Sequence, residues 1–426
     1  MAFNGGRVKT KLFFKGPLLT RSGYGEQSRF ALRALRSRPD LFDIYIQPLQ
    51  WGQTSWVSED DEERRWIDNV VEKTISYAQN GGTYDASFQV TIPNEWEKIA
   101  PVNIGFTAGM ETTKVAHQWI EKGNTMDRIV VVSNHSKYTY ENTVYLASNQ
   151  ATGEEFEFKL NTEIDAVNYP VKDFGELDHL DLKLDYDFNF LVMAQFGPRK
   201  NLPATIKLFI EEFHNEEVGL VVKSNITRNS TMDREKLFYD LKSFVNNFPN
   251  RKCKVYLLHG DLDDKEVHSL INNSKIKAFL TLSHGEGFGL PIFEAAYSGV
   301  PVISPGWSGQ LDFLINKNTG KSKFYNVEYD LHPIPENVVW EGVIIKESMW
   351  ANSRPHSAKQ KMRECYSDLT SDNAEKALEE FQNHAEYLSK EFSEEKQNAL
   401  MVQSVCKALN IDPDKKGNEQ IVLEFD

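Results

Sequence analysis

The chain predicts an α/β protein built from two Rossmann-like, doubly wound domains in tandem, and three observations carry that reading. Short apolar runs alternate with helical segments in two successive series, and a polar, irregular stretch separates the two. The length, 426 residues, exceeds the size at which a single core stops growing. Two such sheets place a ligand cleft between them, at the carboxyl ends of their strands.

The first strand is read at "KTKLFFKGPLL", followed by the loop "TRSGYGEQS", which carries Gly23 and Gly25, and by the helix "RFALRALRS". "FDIYIQPL", "YDASFQVTI", "VNIGFTAG" and "DRIVVVS" are four more buried strands, parallel because helices or loops separate them. "SNQATGEEFEFKLNTEID" and "AVNYPVKDFGELDHLD" predict an irregular insertion and a linker. A second series opens at "FNFLVMAQF" and runs through "EVGLVVKS", "CKVYLLHG", "IKAFLTLS" and "VPVIS", with "LPATIKLFIEEF" as one of its helices. From about Asn373 the chain reads as long charged helices with a frayed end. The expected division is residues 1–172, residues 173–372, and C-terminal helices at 373–426 that pack back across both domains.

"HGEGFGLPIFEAAYSGVPVIS", residues 284–304, concentrates the chemistry. Gly285, Gly287 and Gly289 make a loop that bends tightly and lets a ligand approach the backbone. Pro291 suits the first turn of a helix, Gly299 its C-terminal cap, and Pro301 its stop. Such a loop points free N–H groups and a positive helix end at an anion, most often a phosphate. Glu286 stands in the loop and Glu294 lies about one turn into the helix. Two carboxylates beside a phosphate would repel it. They fit a ligand that carries hydroxyls on both sides of its phosphates, which is the layout of a nucleotide sugar.

Bulk composition is that of a globular protein, with 40% hydrophobic and 26% charged residues. The net charge of -14 argues against nucleic-acid or anionic-membrane binding through bulk charge. Cys253, Cys365 and Cys406 are widely spaced and show neither a disulfide framework nor metal-ligand spacing, which fits a reducing cytosol. "MAFNGGRVKTK" lacks the apolar region of a signal peptide, and no segment approaches bilayer-spanning length. A cytoplasmic protein without stable membrane insertion is expected, in the host cytoplasm if the chain is phage-encoded.

The second half, from "MAQFGPRKNLPATIKLF" through "LLHGDLDDKEVHSLINNSKIKAFLTLSHGEGFGLPIFEAAYSGVPVISPGWSGQLDFL", resembles the family 4 retaining glycosyltransferases of GT-B fold. The paired glutamates in "EGFGLPIFEA" are that family's most specific signature. "NIGFTAGMETTKVAHQWIEKGNTMDRIVVVSNHSKYTY" resembles the acceptor-domain core of a branch common in phage and bacterial genomes. The resemblance implies sugar transfer from a nucleotide diphosphate donor with retained anomeric configuration. Glu294 would hold the donor ribose, Glu286 the donor sugar, and the amides of Gly287, Phe288, Gly289 and Leu290 the phosphate and sugar. Lys200 matches the family lysine that neutralises the leaving diphosphate. The family arginine five residues earlier is replaced by Gln195, so either Arg199 substitutes for it or the charge is met differently. Gly23 and Gly25 fall where the family places a flexible loop near acceptor and donor phosphates. Where many relatives carry a histidine, this chain reads Thr107-Ala108-Gly109, so Glu111 or Thr107 is expected to line the site. His117, His135 and His284 are the histidine candidates. No cofactor and no metal is expected, because cationic side chains and a helix N-terminus take the metal's role.

The acceptor is left open among a polysaccharide, a lipid-linked sugar and a protein. Alternatives are a hydroxymethylated pyrimidine in phage DNA and, for the reaction itself, nucleotide-sugar epimerisation. The aromatics of "WGQTSW" suit either sugar stacking or core packing. In "RFALRALRS", Phe30, Ala31, Ala34 and Leu35 share one helix face, and Arg29, Arg33 and Arg36 another. Those arginines are read either as solvated or as a basic face that docks an anionic acceptor.

Overall fold

The computed structural model describes residues 8–414 apart from Gln53, Gln150 and Arg228. The expectations for the first seven residues and for the frayed end beyond Asp414 lie outside the described residues. The first series comprises β1 (Thr10–Gly16), α1 (Gly23–Arg36), β2 (Phe42–Pro48), α2 (Glu62–Gln79), β3 (Ala86–Val90), β4 (Val102–Thr107), α3 (His117–Gly123), β5 (Arg128–Val131) and α4 (Asn134–Asn142). β6 (Val144–Ser148), β7 (Glu155–Lys159) and β8 (Ile164–Ala166) complete it. The second series comprises β9 (Asn189–Met193), α5 (Leu202–Phe213), β10 (Gly219–Lys223), α6 (Thr231–Val245), β11 (Lys254–Leu258), α7 (Asp264–Ile271) and β12 (Ile276–Leu280). It continues with α8 (Leu290–Tyr297), β13 (Val302–Pro305), α9 (Leu311–Leu314), β14 (Tyr325–Val327), β15 (Tyr329–Pro333) and β16 (Met349–Ser353). α10 (Pro355–Thr370), α11 (Ala374–Glu391) and α12 (Glu394–Ala408) close the chain.

The apolar runs form two parallel six-stranded sheets, ordered β2-β1-β3-β4-β5-β8 and β11-β10-β9-β12-β13-β14. Strands such as β5 and most of β9 are buried on both faces, so Ile129–Val131 and Phe190–Met193 read as continuous apolar runs, whereas β3 buries Ser87 and Gln89 among its apolar residues. Strand order reverses between β1 and β3 in the first sheet and between β9 and β12 in the second. Those switch points open crevices at the carboxyl ends, where doubly wound proteins bind ligands.

Three features depart from the sequence expectation. Gly23 and Gly25 belong to the first turn of α1, not to a loop; the Ser22 hydroxyl caps that helix by accepting from Gly25 N at 2.9 Å. The stretch read as an irregular insertion contains β7, which pairs antiparallel with β6 just before it, with Tyr145 opposite Phe158 and turned toward the core. The arginine face of α1 is neutralised within the chain. Arg29 bonds the carbonyls of Leu18 and Thr20 and pairs with Glu26, Arg33 forks onto Glu63 at 2.6 and 2.7 Å, and Arg36 lies near Glu62 and over Trp66. This leaves no basic face for an anionic acceptor, while Phe30, Ala31, Ala34 and Leu35 are buried as expected.

The C-terminal helices join the two halves. α10 packs on α5, α11 on α8, and α12 on α1 in the first half. An aromatic chain runs the same way: Phe30 to Tyr169 (5.8 Å between centroids), Tyr169 to Phe288 (5.1 Å), and Phe288 to Phe293 (5.1 Å), with Phe392 5.4 Å from Phe293. Asp312, on α9, accepts from the Asn134 amide at 2.9 Å and the Asn168 side chain at 2.8 Å, a further buried tie between the halves.

Candidate active site

Two loops at the second sheet's switch point carry most of the charge. After β9 the chain passes through a tight turn at Pro198–Lys200 and then Asn201, whose φ of 51° swings it into α5. After β12 it passes through the glycine loop into α8, where Gly289 at φ 96° adopts a backbone shape that disfavours a side chain. The two loops are laced together: His284 N donates to Arg199 O at 2.9 Å, and Asn201 Nδ2 donates to Leu282 O at 3.1 Å.

This lacing places Lys200 Nζ 2.6 and 2.8 Å from the two carboxylate oxygens of Glu286. Arg199 Nη1 donates to Glu286 Oε2 at 2.9 Å and to Gly285 O at 2.8 Å, and its Nε lies 3.3 Å from Glu111 Oε1. Burial alone would raise the Glu286 carboxyl, but Lys200 and Arg199 outweigh it and hold the group down at about 2. Burial, reinforced by Arg199, lowers the Lys200 ammonium against the pull of Glu286. The Glu286 backbone is fixed as well. Its N–H donates to the Ser308 hydroxyl at 2.8 Å, and Ser308 itself sits at a φ of 71°, sparse territory for a non-glycine residue.

A cavity of about 500 Å³ lies against these groups and is bounded on its other side by the first domain. Glu111, Arg199, Lys200, Glu286, Gly287, Phe288, Gly289, Leu290 and Gly23 all line it. Among the described residues, the N–H groups of Gly287, Phe288, Gly289 and Leu290 donate to no protein acceptor. Four free amides in series at the start of α8 form a concave, positive rim suited to an anion. The N-terminus of α1, with Ser22, Gly23 and Tyr24, faces the same cavity from the other sheet.

Other candidates lie elsewhere. Gly25 is buried and off the wall; a Cβ there would stand 2.0 Å from Thr20 O, so its glycine serves the entry into α1. Glu294 is also off the wall and makes no side-chain hydrogen bond or ion pair among the described residues. Its carboxyl is pushed up to about 8 by burial, with Lys172 opposing and Asp264 and Glu26 adding to the rise. Thr107 is buried beneath Tyr24, whose hydroxyl it meets at 2.7 Å. The histidines do not converge on the cavity. His284 stacks on Trp350 with Nδ1 2.7 Å from Ala351 O, and His135 packs edge-on against Trp307 with burial lowering it to about 4. His117 lies edge-on to Tyr145.

Several wall residues were not singled out from sequence. Arg21, Tyr24, Asn225 and Asp261 carry no spacing signal. Of "WGQTSW", Trp51 reaches the cavity and packs on Tyr24 with centroids 4.3 Å apart, whereas Trp56 is exposed. The glycine loop also has a role beyond ligand approach. A Cβ on Gly285 would lie 2.2 Å from Glu111 O, and one on Gly287 2.2 Å from Ala108 O, so these glycines let the two domains touch backbone to backbone. Gly287→Ala is therefore expected to wedge the domains apart, lowering stability by about 1–3 kcal/mol and weakening anion binding in the cavity. Calorimetric melting and phosphate-ligand titration check this; a variant matching the wild type in both would show that the contact yields freely.

The chain has the GT-B architecture: two Rossmann-like domains face each other across a cleft, with helices closing the C-terminal end. A crystal structure of a glycosyltransferase from Rickettsia africae ESF-5 is similar, with TM-score 0.60 and 14% identity over 95% of this chain and 100% of that one. Sucrose-phosphate synthase from Thermosynechococcus elongatus gives 0.59 and 12% over 94% and 100%. An E. coli trehalose-6-phosphate protein bound with UDP-2-fluoro glucose gives 0.55 and 9% over 95% and 100%. Residues 182–322, which hold Arg199, Lys200, Glu286 and Glu294, match the sequence model of the glycosyl transferases group 1. No curated protein matches the chain in sequence. Among the described residues, no helix is long and apolar enough to cross a membrane.

Proposed function

We propose that the protein transfers a sugar from a nucleoside diphosphate sugar to an acceptor hydroxyl, with retention of anomeric configuration. The observation that carries this reading is the free amide series of residues 287–290 beside Lys200, Arg199 and Glu286, in a cleft between two carboxyl sheet edges. The amides and cations suit a diphosphate, and the match of residues 182–322 to the group 1 glycosyl transferases supports the same chemistry. In this scheme the bond between the anomeric carbon and the diphosphate oxygen breaks as the acceptor oxygen attacks from the same face. A donor phosphate oxygen takes the acceptor's proton, and the diphosphate leaves against Lys200 and the loop amides. Glu286 exchanges part of its ion pairing for hydroxyls of the donor sugar; Glu294, off the cavity wall as the structure stands, reaches the ribose only if the donor extends past Leu290 and Pro291 along α8. The acceptor is a hydroxyl of a glycan, a lipid-linked sugar or a protein. The neutralised arginines of α1 weigh against DNA.

The test is a thermal-shift screen of nucleotide sugars, followed by product analysis with the donor that stabilises. A tight donor at 100 times its Kd raises stability by about 2.7 kcal/mol. If no nucleotide sugar shifts the transition, the assignment fails; an epimer formed without any acceptor would replace transfer with epimerisation. We further propose that transfer needs no divalent metal. Activity is then expected to survive excess EDTA, and chelation that abolishes it, with rescue by Mg²⁺ or Mn²⁺, would refute that statement.

A further inference from the structure

Among the described residues, two of the cleft's cations are already paired with its carboxylates. Among the described residues, six charged side chains line the cavity: Arg21, Glu111, Arg199, Lys200, Asp261 and Glu286. Arg199 and Lys200 are already matched by Glu111 and Glu286 at ion-pair distance, and Arg199 is further tied to Gly285 O. Arg199 is thus held as the clasp between the two domains and is a poor replacement for the arginine that the resemblance expects where Gln195 stands. Gln195 brings no charge, and its amide donates to Ile226 O at 2.9 Å.

Among the described residues, Arg21 is the remaining cation on the wall. It sits in the segment between β1 and α1, where its own N–H donates to Ser55 O at 2.8 Å and so fixes the backbone beneath the side chain. The guanidinium crosses the cleft: Nη1 lies 3.4 Å from Leu262 O, in the loop between β11 and α7 of the other domain. Its carboxylate partner, Glu59, is off the cavity wall and 45% exposed, whereas Glu286 is 9% exposed. An exposed pair of this kind is weak and readily exchanged for a stronger anion. A phosphate oxygen offers a charge-assisted contact that a guanidinium favours.

Resting on the nucleotide-sugar reading above, we propose that Arg21 is a donor-binding residue that supplies, from the opposite domain, the second cation for the diphosphate. On binding, the guanidinium exchanges Glu59 for a phosphate oxygen, while Arg199 stays on Glu111 and Glu286. Donor binding and closure of the cleft are then one event, because the same side chain bridges ligand and both domains.

The experiment is isothermal titration of wild type, Arg21→Ala and Arg21→Lys with UDP, GDP and ADP, and with the monophosphate of whichever diphosphate binds. Arg21→Ala is expected to weaken the diphosphate about 10- to 100-fold, with a much smaller effect on the monophosphate. Arg21→Lys recovers part of the loss, and it stands in as the charge-retaining probe if the alanine variant does not fold. Equal diphosphate binding by wild type and Arg21→Ala overturns the assignment. So does a loss that is the same for diphosphate and monophosphate, or a lysine variant as weak as alanine. If the wild type binds none of the three diphosphates, the nucleotide-sugar reading itself falls, a result distinct from failure of Arg21 alone.

Discussion

Lys200→Ala is expected to lower kcat/KM for sugar transfer by roughly 10- to 150-fold, the loss of one charge-assisted contact of about 1.5–3 kcal/mol to the leaving group. Sequence reasoning alone would have this variant fold normally, because Lys200 sits in a loop and not in an apolar run. The structure changes that half of the expectation. Lys200 holds both oxygens of a carboxylate that is 9% exposed, and after its removal only Arg199 still neutralises Glu286. Taking one partner from a buried pair costs more than the pair contributes, so a loss of stability accompanies the loss of turnover. The double variant Lys200→Ala/Glu286→Gln separates the two effects. It removes the stranded charge and is expected to recover most of the melting temperature while remaining inactive. Steady-state kinetics with calorimetric melting check both parts, and wild-type turnover by Lys200→Ala would end the assignment of this residue to the donor.

The second large effect concerns Glu294 and pH. Its folded-state pKa of about 8 stands well above the 4.5 of an unperturbed glutamate, so folding disfavours the ionised form. Below about 4.5 the group is protonated in both states and contributes nothing. Between 4.5 and 8 the unfolded chain ionises it and the folded chain does not, so stability falls as pH rises, by up to about 1.4 kcal/mol per unit. Above 8 the penalty is complete. Glu294→Gln keeps the shape without the titration, so the variant is expected to melt with the wild type near pH 4.5 and several degrees above it at pH 8.5. Parallel melting curves across that range would show that the carboxyl is solvated like an ordinary one.

What could be read from the sequence followed from local periodicity and local turn chemistry. β9 and β12 were legible because strands buried on both faces are largely apolar, and the loops after them because glycine, proline and charge cluster there. The start of α1 was not: two glycines in its first turn look like a loop, and the cap that decides the matter is a single serine hydroxyl. β6 and β7 were missed because each is only five residues long, β7 is charge-rich, and their pairing crosses a turn that no local pattern announces. Arg21 and Lys172 escaped for a different reason. Lys172 meets Glu26 at 2.8 Å and, from the other domain, Asp264 at 2.7 Å, a contact that exists only once the two domains have come together. The same holds for Gly285 and Gly287, whose lack of a side chain matters for a neighbour over 170 positions away in the chain.

The packing of α12 on α1 has a consequence for the order in which the protein is made. β1 to β5 and α1 leave the ribosome first, yet one cover for α1 is a helix that follows some 280 residues after β5. At synthesis rates of about 5–20 residues per second, that interval lasts roughly 15 s to a minute. During that time Arg38 lacks its bond to Pro413 O, and Asp165 lacks the Ser404 hydroxyl and the Lys407 ammonium. The nascent first domain therefore waits with apolar surface open, and ribosome-bound chains arrested before Glu394 are expected to be bound by chaperones in a way that the released protein is not.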